Sequence, residues 1–173
     1  MSPPLKYLSA YTPELQQQAR GLMESGRLGT WLRSRHPDAH GLRTDGALYA
    51  HVEGMRQAHM RQTARLDRVC YDSKLQLVQQ ALGLHSRVSR VQGSKLKAAR
   101  EIRIGSVFRD APQAFLDMIA AHELAHLRER EHDKAFYRLC QHMLPDYHQL
   151  EFELRLYLTH LEAGGERLWA GSD

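Results

Sequence analysis

The sequence feature that most constrains this chain is a pair of histidines four residues apart, His122 and His126, with Glu123 directly after the first. In a helix with 3.6 residues per turn, this spacing places both imidazoles on one face, where they can bind one metal ion. Glu123 is rotated by about 100° from His122, so its carboxylate is better placed to reach a water molecule than the metal. The pattern therefore predicts a helix that carries a metal site and its own general base.

A third histidine, His132, follows six residues after the second. A catalytic zinc usually has three protein ligands and one open position, and His132 lies at the ligand spacing of the metzincin pattern. Metzincins carry glycine three residues after the second histidine, where the chain turns back, whereas this chain has Glu129 there. We therefore expect a zinc site of three histidines and a turn made without glycine. Glu151 or Glu153 is the alternative third ligand if the site is of the glutamate type.

The predicted reaction is hydrolysis of a peptide bond by a water molecule that zinc activates. Zinc lowers the pKa of a water molecule that it binds to about 7, and Glu123 would take the proton. The same residues would also serve a zinc-dependent amidase that acts on a non-peptide substrate. Four side chains are candidates for stabilising the oxyanion: Tyr137, His142, Tyr147 and His148.

The residues around the site resemble the YgjP-like family of zincin metallopeptidases, over roughly residues 84–160. The matching residues are Met118–Leu127, His132, Ala135–Phe136 and Leu144–Tyr147. The resemblance implies His122, His126 and His132 as metal ligands, Glu123 as catalytic base and a short sheet before the active-site helix. Many members carry Trp-Gly-Ser-Cys upstream of the site. Here residues 91–95 keep the glycine and serine but lack the tryptophan and cysteine, so the substrate side of the cleft is expected to differ.

The catalytic half is predicted to combine a hairpin with three helices. Strand-like residues 85–91, a turn at Gly93–Lys95 and the alternating residues 100–104 predict two antiparallel strands. We expect Ile102–Val107 to be the edge that pairs with an extended substrate. Asp110 and Pro112 indicate the start of the active-site helix.

After the site, Asp133 is predicted to cap a helix from Lys134 to about Met143, and a last helix runs to about Glu162. Residues 1–83 are predicted to form a helical region packed on the catalytic domain of residues 84–165, with a frayed tail at 166–173. Helix starts are expected at Thr12, at Asp45 with an end near Leu66, and at Asp72 with an end at Leu82. The predicted fold class is α+β and zincin-like.

The 173-residue chain has two cysteines, 42% hydrophobic residues and a net charge of +4. It has no run of 18 apolar residues and no signal-peptide pattern, so we expect a cytoplasmic protein without a membrane span or a disulfide framework. Basic residues on the hairpin suggest a weak nucleic-acid contact, against the alternative of a solvated sheet edge: Arg87, Arg90, Lys95 and Lys97. SprT-like proteins pair a related helix with DNA binding, so a nucleic-acid-associated protease or binding module is the alternative function.

Overall fold

The structure is a computed structural model that describes residues 5–75 and 100–169. In these ranges the chain forms six α-helices and a two-stranded sheet, which confirms the α+β, zincin-like class. The elements are α1 Pro13–Glu24, α2 Leu28–Arg35, α3 Asp45–His59, β1 Arg68–Asp72, β2 Glu101–Gly105, α4 Gln113–Ala125, α5 Lys134–Met143 and α6 Tyr147–Glu162. None of the described helices is long and apolar enough to cross a membrane.

Polar caps begin three of these helices. Thr12, Thr44 and Asp133 each accept a hydrogen bond from the backbone N–H three residues further on, which satisfies one of the free amides of the first turn. The predictions for Thr12 and Asp133 are confirmed, whereas the cap of α3 is Thr44 rather than Asp45. Gly164 has a φ of 88° just after α6, a backbone conformation that glycine adopts without strain.

The central helix of the fold is α4, which carries the histidine pair. Ten of its thirteen residues are buried. It packs against α5, α6 and β2. Pro112 lies at the cap position, so the helix begins one residue after it. A helix buried on nearly all sides gives its polar residues, His122 and Glu123, a protected environment.

The sheet confirms one predicted strand and pairs it with a strand that the sequence did not predict. β2 alternates as expected, with Ile102 and Ile104 buried. It pairs in parallel with β1, in the register Val69 to Ile102 and Tyr71 to Ile104. The predicted antiparallel partner, residues 85–91, lies outside the described residues. The predicted basic surface lies there too: Arg87, Arg90, Lys95 and Lys97.

The region predicted as helical, residues 1–83, therefore also contributes a strand. Helix α3 ends at His59 rather than near Leu66, and Asp72 ends β1 rather than starting a helix. The carboxylate of Asp72 instead accepts the N–H of Lys74 at 2.8 Å in a turn, and residues 76–82 lie outside the described part of the chain. A short apolar run such as 69–71 fits a strand or a buried helix equally well, which is why periodicity did not identify β1.

The prediction of a frayed tail over residues 166–173 is wrong for its last two described residues. Leu168 and Trp169 are buried against the core. The indole N–H of Trp169 donates a hydrogen bond to the carbonyl of His36 at 2.6 Å. A large aromatic side chain that buries its ring and satisfies its N–H holds the chain end in place.

Candidate metal centre

Three histidine side chains converge at the end of α4. The Nε2 atom of His126 lies 3.2 Å from Nε2 of His122 and 2.9 Å from Nε2 of His132. Nitrogens bound at about 2.0–2.1 Å to one tetrahedral zinc are separated by about 3.3 Å. Two of the observed separations are close to this value, and the ligand atoms of all three residues lie within 4.8 Å of one another. The cluster could therefore hold one metal ion, and it brings together the three residues that the sequence predicts as ligands.

The residues that the structure describes contain one such cluster, and it includes no carboxylate. Glu153 is fully buried and binds Arg35 and His36 instead. Glu151 forms an ion pair with Arg155 at 3.2 Å. The alternative of a glutamate as third ligand is therefore not supported by the geometry.

In His122 and His126, the Nδ1 atom points away from the cluster and has a hydrogen-bond partner of its own. Nδ1 of His126 lies 3.0 Å from the carbonyl oxygen of Glu129. A carbonyl only accepts hydrogen bonds, so the proton of this ring is on Nδ1 and the lone pair of Nε2 faces the cluster. Nδ1 of His122 lies 2.8 Å from the hydroxyl of Tyr147. Both helix histidines thus present Nε2 to the proposed metal position.

The turn after the second histidine is made without glycine, as expected. Helix α4 ends at Ala125, and the N–H of Glu129 bonds the Ala125 carbonyl at 2.9 Å. No non-glycine residue in the described ranges has a positive φ. The chain therefore turns back without a residue of positive φ, and the carbonyl of Glu129 becomes a partner of His126.

Tyr147 is a residue of the site whose role the sequence reasoning missed. Its ring is fully buried, and burial together with the negative charge of Glu151 raises the pKa of its hydroxyl above the ordinary value. The phenol therefore stays protonated. Tyr147 contacts the ring nitrogen of His122 that is not in the cluster, which argues against its predicted role in stabilising an oxyanion. Its place in the motif-matching segment Leu144–Tyr147 was the available signal.

Phe136 packs against all three histidines. Its ring centroid lies 5.0 Å from that of His122, 4.6 Å from His126 and 4.8 Å from His132. The side chain is fully buried, so it restricts the imidazole orientations and excludes water from one side of the cluster. From the sequence, Phe136 was recognised as one of the residues that match the family, without a role at the site.

The remaining predicted residues lie around this cluster in different places. Glu123 is 7% exposed and follows His122 directly on α4. Tyr137 and His148 have ring centroids 5.2 Å apart and line a surface cavity that includes His132. His142 is exposed near the end of α5. Of the four oxyanion candidates, Tyr137 and His148 are thus the two that border this cavity.

Comparison with known proteins gives two matches. The family model described as the YgjP-like metallopeptidase domain matches residues 52–157, a range that begins inside α3 and includes β1 and the histidine cluster. A protein of Escherichia coli (strain K12) named UTP pyrophosphatase is 49% identical over 164 residues, which is 95% of this chain and 98% of that protein. No solved structure is significantly similar. These matches confirm the resemblance seen in the sequence, and the chain belongs to the YgjP-like family.

Proposed function

We propose that this protein is a metal-dependent hydrolase that cleaves a phosphoanhydride bond of UTP or a closely related nucleotide. The observation that carries this proposal is the 49% identity, over 95% of this chain, to a protein named UTP pyrophosphatase. Similarity at this level along nearly the whole of both chains favours a shared reaction. The histidine cluster and the buried Glu123 supply the side-chain types that metal-assisted hydrolysis needs.

Zinc is the metal that we propose for the site, because three imidazoles with an open position are a common ligand set of catalytic zinc. Zinc bound there would supply Lewis acidity, which lowers the pKa of water and polarises the bond to be broken. Hydrogen bonds and packing orient the imidazoles for this role. The carbonyl of Glu129 and the hydroxyl of Tyr147 orient two of the rings, and Phe136 packs beneath all three.

Glu123 is the proposed general base. It takes a proton from the attacking water while the water oxygen forms a bond to phosphorus. The bond between phosphorus and the bridging oxygen breaks, and the leaving phosphate group departs with the electron pair. Glu123 can then return the proton to the leaving group or to solvent, so one water molecule is consumed for each bond cleaved.

Peptide hydrolysis is the second candidate function. It is favoured by the spacing of the histidines and Glu123 and by the family description as a metallopeptidase domain. In that reaction the water attacks a carbonyl carbon, and Glu123 delivers the proton to the leaving amine. The same residues serve both reactions, so the substrate distinguishes them rather than the histidine cluster.

The test compares zinc-loaded wild type with Glu123→Gln on two substrates, UTP and an unfolded protein such as casein. We expect phosphate or diphosphate release from UTP by the wild type, and a rate lower by about a thousandfold in the variant. Elemental analysis should show the same metal content in both proteins, because Glu123 is not a proposed ligand.

The other possible outcomes test the role of Glu123 and distinguish the two candidate reactions. Equal UTP hydrolysis by both proteins contradicts the role of Glu123 and points to a contaminating phosphatase. Cleavage of casein without hydrolysis of UTP, again lost in Glu123→Gln, favours the peptidase. A parallel series with ATP, CTP and GTP shows how strictly the base is selected.

A further inference from the structure

A surface cavity of about 430 Å³ opens directly beside the histidine cluster. His132 forms part of its wall, and most of the remaining wall comes from one side of α5. His148, near the start of α6, completes it. A molecule in this cavity therefore lies next to the third histidine of the proposed metal centre.

Two cationic side chains line the cavity along the same side of α5. Lys134 and Arg138 are four residues apart, so helix periodicity places one above the other. Both are exposed, and neither forms an ion pair or hydrogen bond with another residue in the described part of the chain. Asp133 also lies in the wall, but its carboxylate accepts the N–H of Phe136 at 3.0 Å as the cap of α5. The two positive charges are therefore not compensated by a direct partner.

The other side chains of the wall add hydrogen-bond donors and flat rings. The rings of Tyr137 and His148 are 5.2 Å apart and inclined by 39°. Tyr137 is half-buried, so its position is fixed by packing. Guanidinium and ammonium groups bind phosphate oxygens through charge-assisted hydrogen bonds, and aromatic rings can contact a base. This combination suits a polyanion with a planar group.

We propose that this cavity binds the phosphate chain of a nucleoside triphosphate, with Lys134 and Arg138 as its cationic contacts. The identity of the ligand rests on the proposed function, whereas the existence of an anion site rests on the cavity and its uncompensated charge. A phosphate chain bound here adjoins His132, which brings its phosphorus atoms next to the histidine cluster. The alternative is a solvated basic helix face with no ligand.

The experiment measures binding separately from turnover. Isothermal titration calorimetry is carried out on full-length, zinc-loaded Glu123→Gln protein with UTP and with inorganic tripolyphosphate. Both ligands are saturated with Mg²⁺ so that they do not remove the zinc. Introducing Lys134→Ala and Arg138→Ala together into this Glu123→Gln protein should weaken the binding of both ligands by about tenfold. Replacing Lys134 by Arg, which keeps the charge, should retain most of the affinity.

The matched control is Arg27→Ala with Arg61→Ala. Both arginines are exposed and lie outside this cavity, and the pair removes the same net charge. Affinity in this control should stay close to that of the parent protein. An equal loss in the two double variants would mean that only the overall charge matters, and would overturn the proposal, as would undiminished binding in the Lys134 and Arg138 variant.

Failure of this inference is distinguishable from failure of the proposed function. If the wild type hydrolyses UTP and the KM is unchanged in the Lys134→Ala and Arg138→Ala variant, the function stands and the cavity proposal is overturned. If the wild type does not hydrolyse UTP but binds tripolyphosphate through these two residues, the anion site stands and the proposed reaction is contradicted.

Discussion

The hydroxyl of Tyr147 contacts His122 on the nitrogen that faces away from the histidine cluster, at 2.8 Å. Burial of the ring, together with the negative charge of Glu151, keeps the pKa of the phenol above its ordinary value, so the hydroxyl stays protonated. Partners of this kind fix the tautomer and orientation of a metal-binding imidazole. Tyr147 is therefore expected to act on the proposed metal through His122, as a positioning residue.

Tyr147→Phe should weaken zinc binding by about 10- to 100-fold, because His122 loses the partner of its outer nitrogen. The measurement is competition with a chromogenic zinc chelator. His132→Ala provides the reference for loss of a proposed ligand and should retain little zinc on purification.

Tyr137→Phe is the matched control for this prediction. Tyr137 also loses a hydroxyl near the site, but that hydroxyl forms no hydrogen bond with the histidine cluster within the described residues. Equal zinc affinities in the two phenylalanine variants would contradict a positioning role for Tyr147.

Among the secondary-structure elements, α5 connects the stability of a helix with the proposed metal centre, because its cap lies next to a proposed ligand. Asp133 caps this helix and directly follows His132. Asp133→Ala should lower the free energy of unfolding by about 1 kcal/mol, because the N–H of Phe136 loses its acceptor. It should also weaken zinc binding, since the backbone that holds His132 is then less constrained. Denaturant unfolding and zinc competition measure the two effects.

Thr44→Ala separates these two effects. It removes the same kind of cap from α3, so it should cost a similar free energy of unfolding and leave zinc affinity unchanged. Asp133→Asn keeps a capping oxygen and should restore both properties. Unchanged zinc affinity in Asp133→Ala would show that the cap does not position His132.

Sequence reasoning predicted those elements whose signals are local. The spacing of the histidines defined α4, and capping residues gave the starts of α1 and α5. The predicted end of the last helix, near Glu162, agrees with the end of α6. β1 was missed because five residues with a short apolar centre have no distinctive period, and because its parallel partner lies 33 positions away in the register Arg68 to Glu101. Strand pairing at that separation is set by the tertiary fold rather than by local sequence.

At the scale of the whole molecule, side chains of α6 bind residues near the N-terminal end of the described chain, and the C-terminal end binds the same region. Its Arg155 donates a hydrogen bond to the carbonyl of Tyr7 at 2.9 Å, and its buried Glu153 binds Arg35 and His36 of the α2 region. Trp169 then bonds the carbonyl of His36. These contacts join residues more than a hundred positions apart, so sequence periodicity did not indicate them. They explain why the helical N-terminal region, whose role the sequence left open, packs on the catalytic half.

A second buried ion pair, Glu53 with Arg56, makes the stability of the molecule depend on pH. Arg56 donates hydrogen bonds to both carboxylate oxygens of Glu53, and Leu66 donates its backbone N–H to the same carboxylate. The hydrogen bonds from Arg56, followed by that from Leu66, lower the pKa of Glu53 below its ordinary value despite burial. The charged carboxylate thus ties α3 to the segment that leads into β1.

The direction of the pH effect follows from this lowered pKa. A carboxylate whose pKa is lower in the folded state contributes its full stability above the unfolded pKa of about 4.3, and this contribution is lost as the pH falls through the folded pKa. Glu53→Gln should therefore lower the free energy of unfolding by about 3 kcal/mol at neutral pH, because Arg56 is left buried without its counter-charge. The difference between wild type and variant should shrink below about pH 4.

Urea unfolding of both proteins between neutral and acidic pH measures this difference in the free energy of unfolding, with the exposed Glu14→Gln as control. A difference that stays constant over this range would mean that the charge of Glu53 does not stabilise the fold. Loss of metal from the histidines at low pH affects both proteins alike and does not alter the comparison.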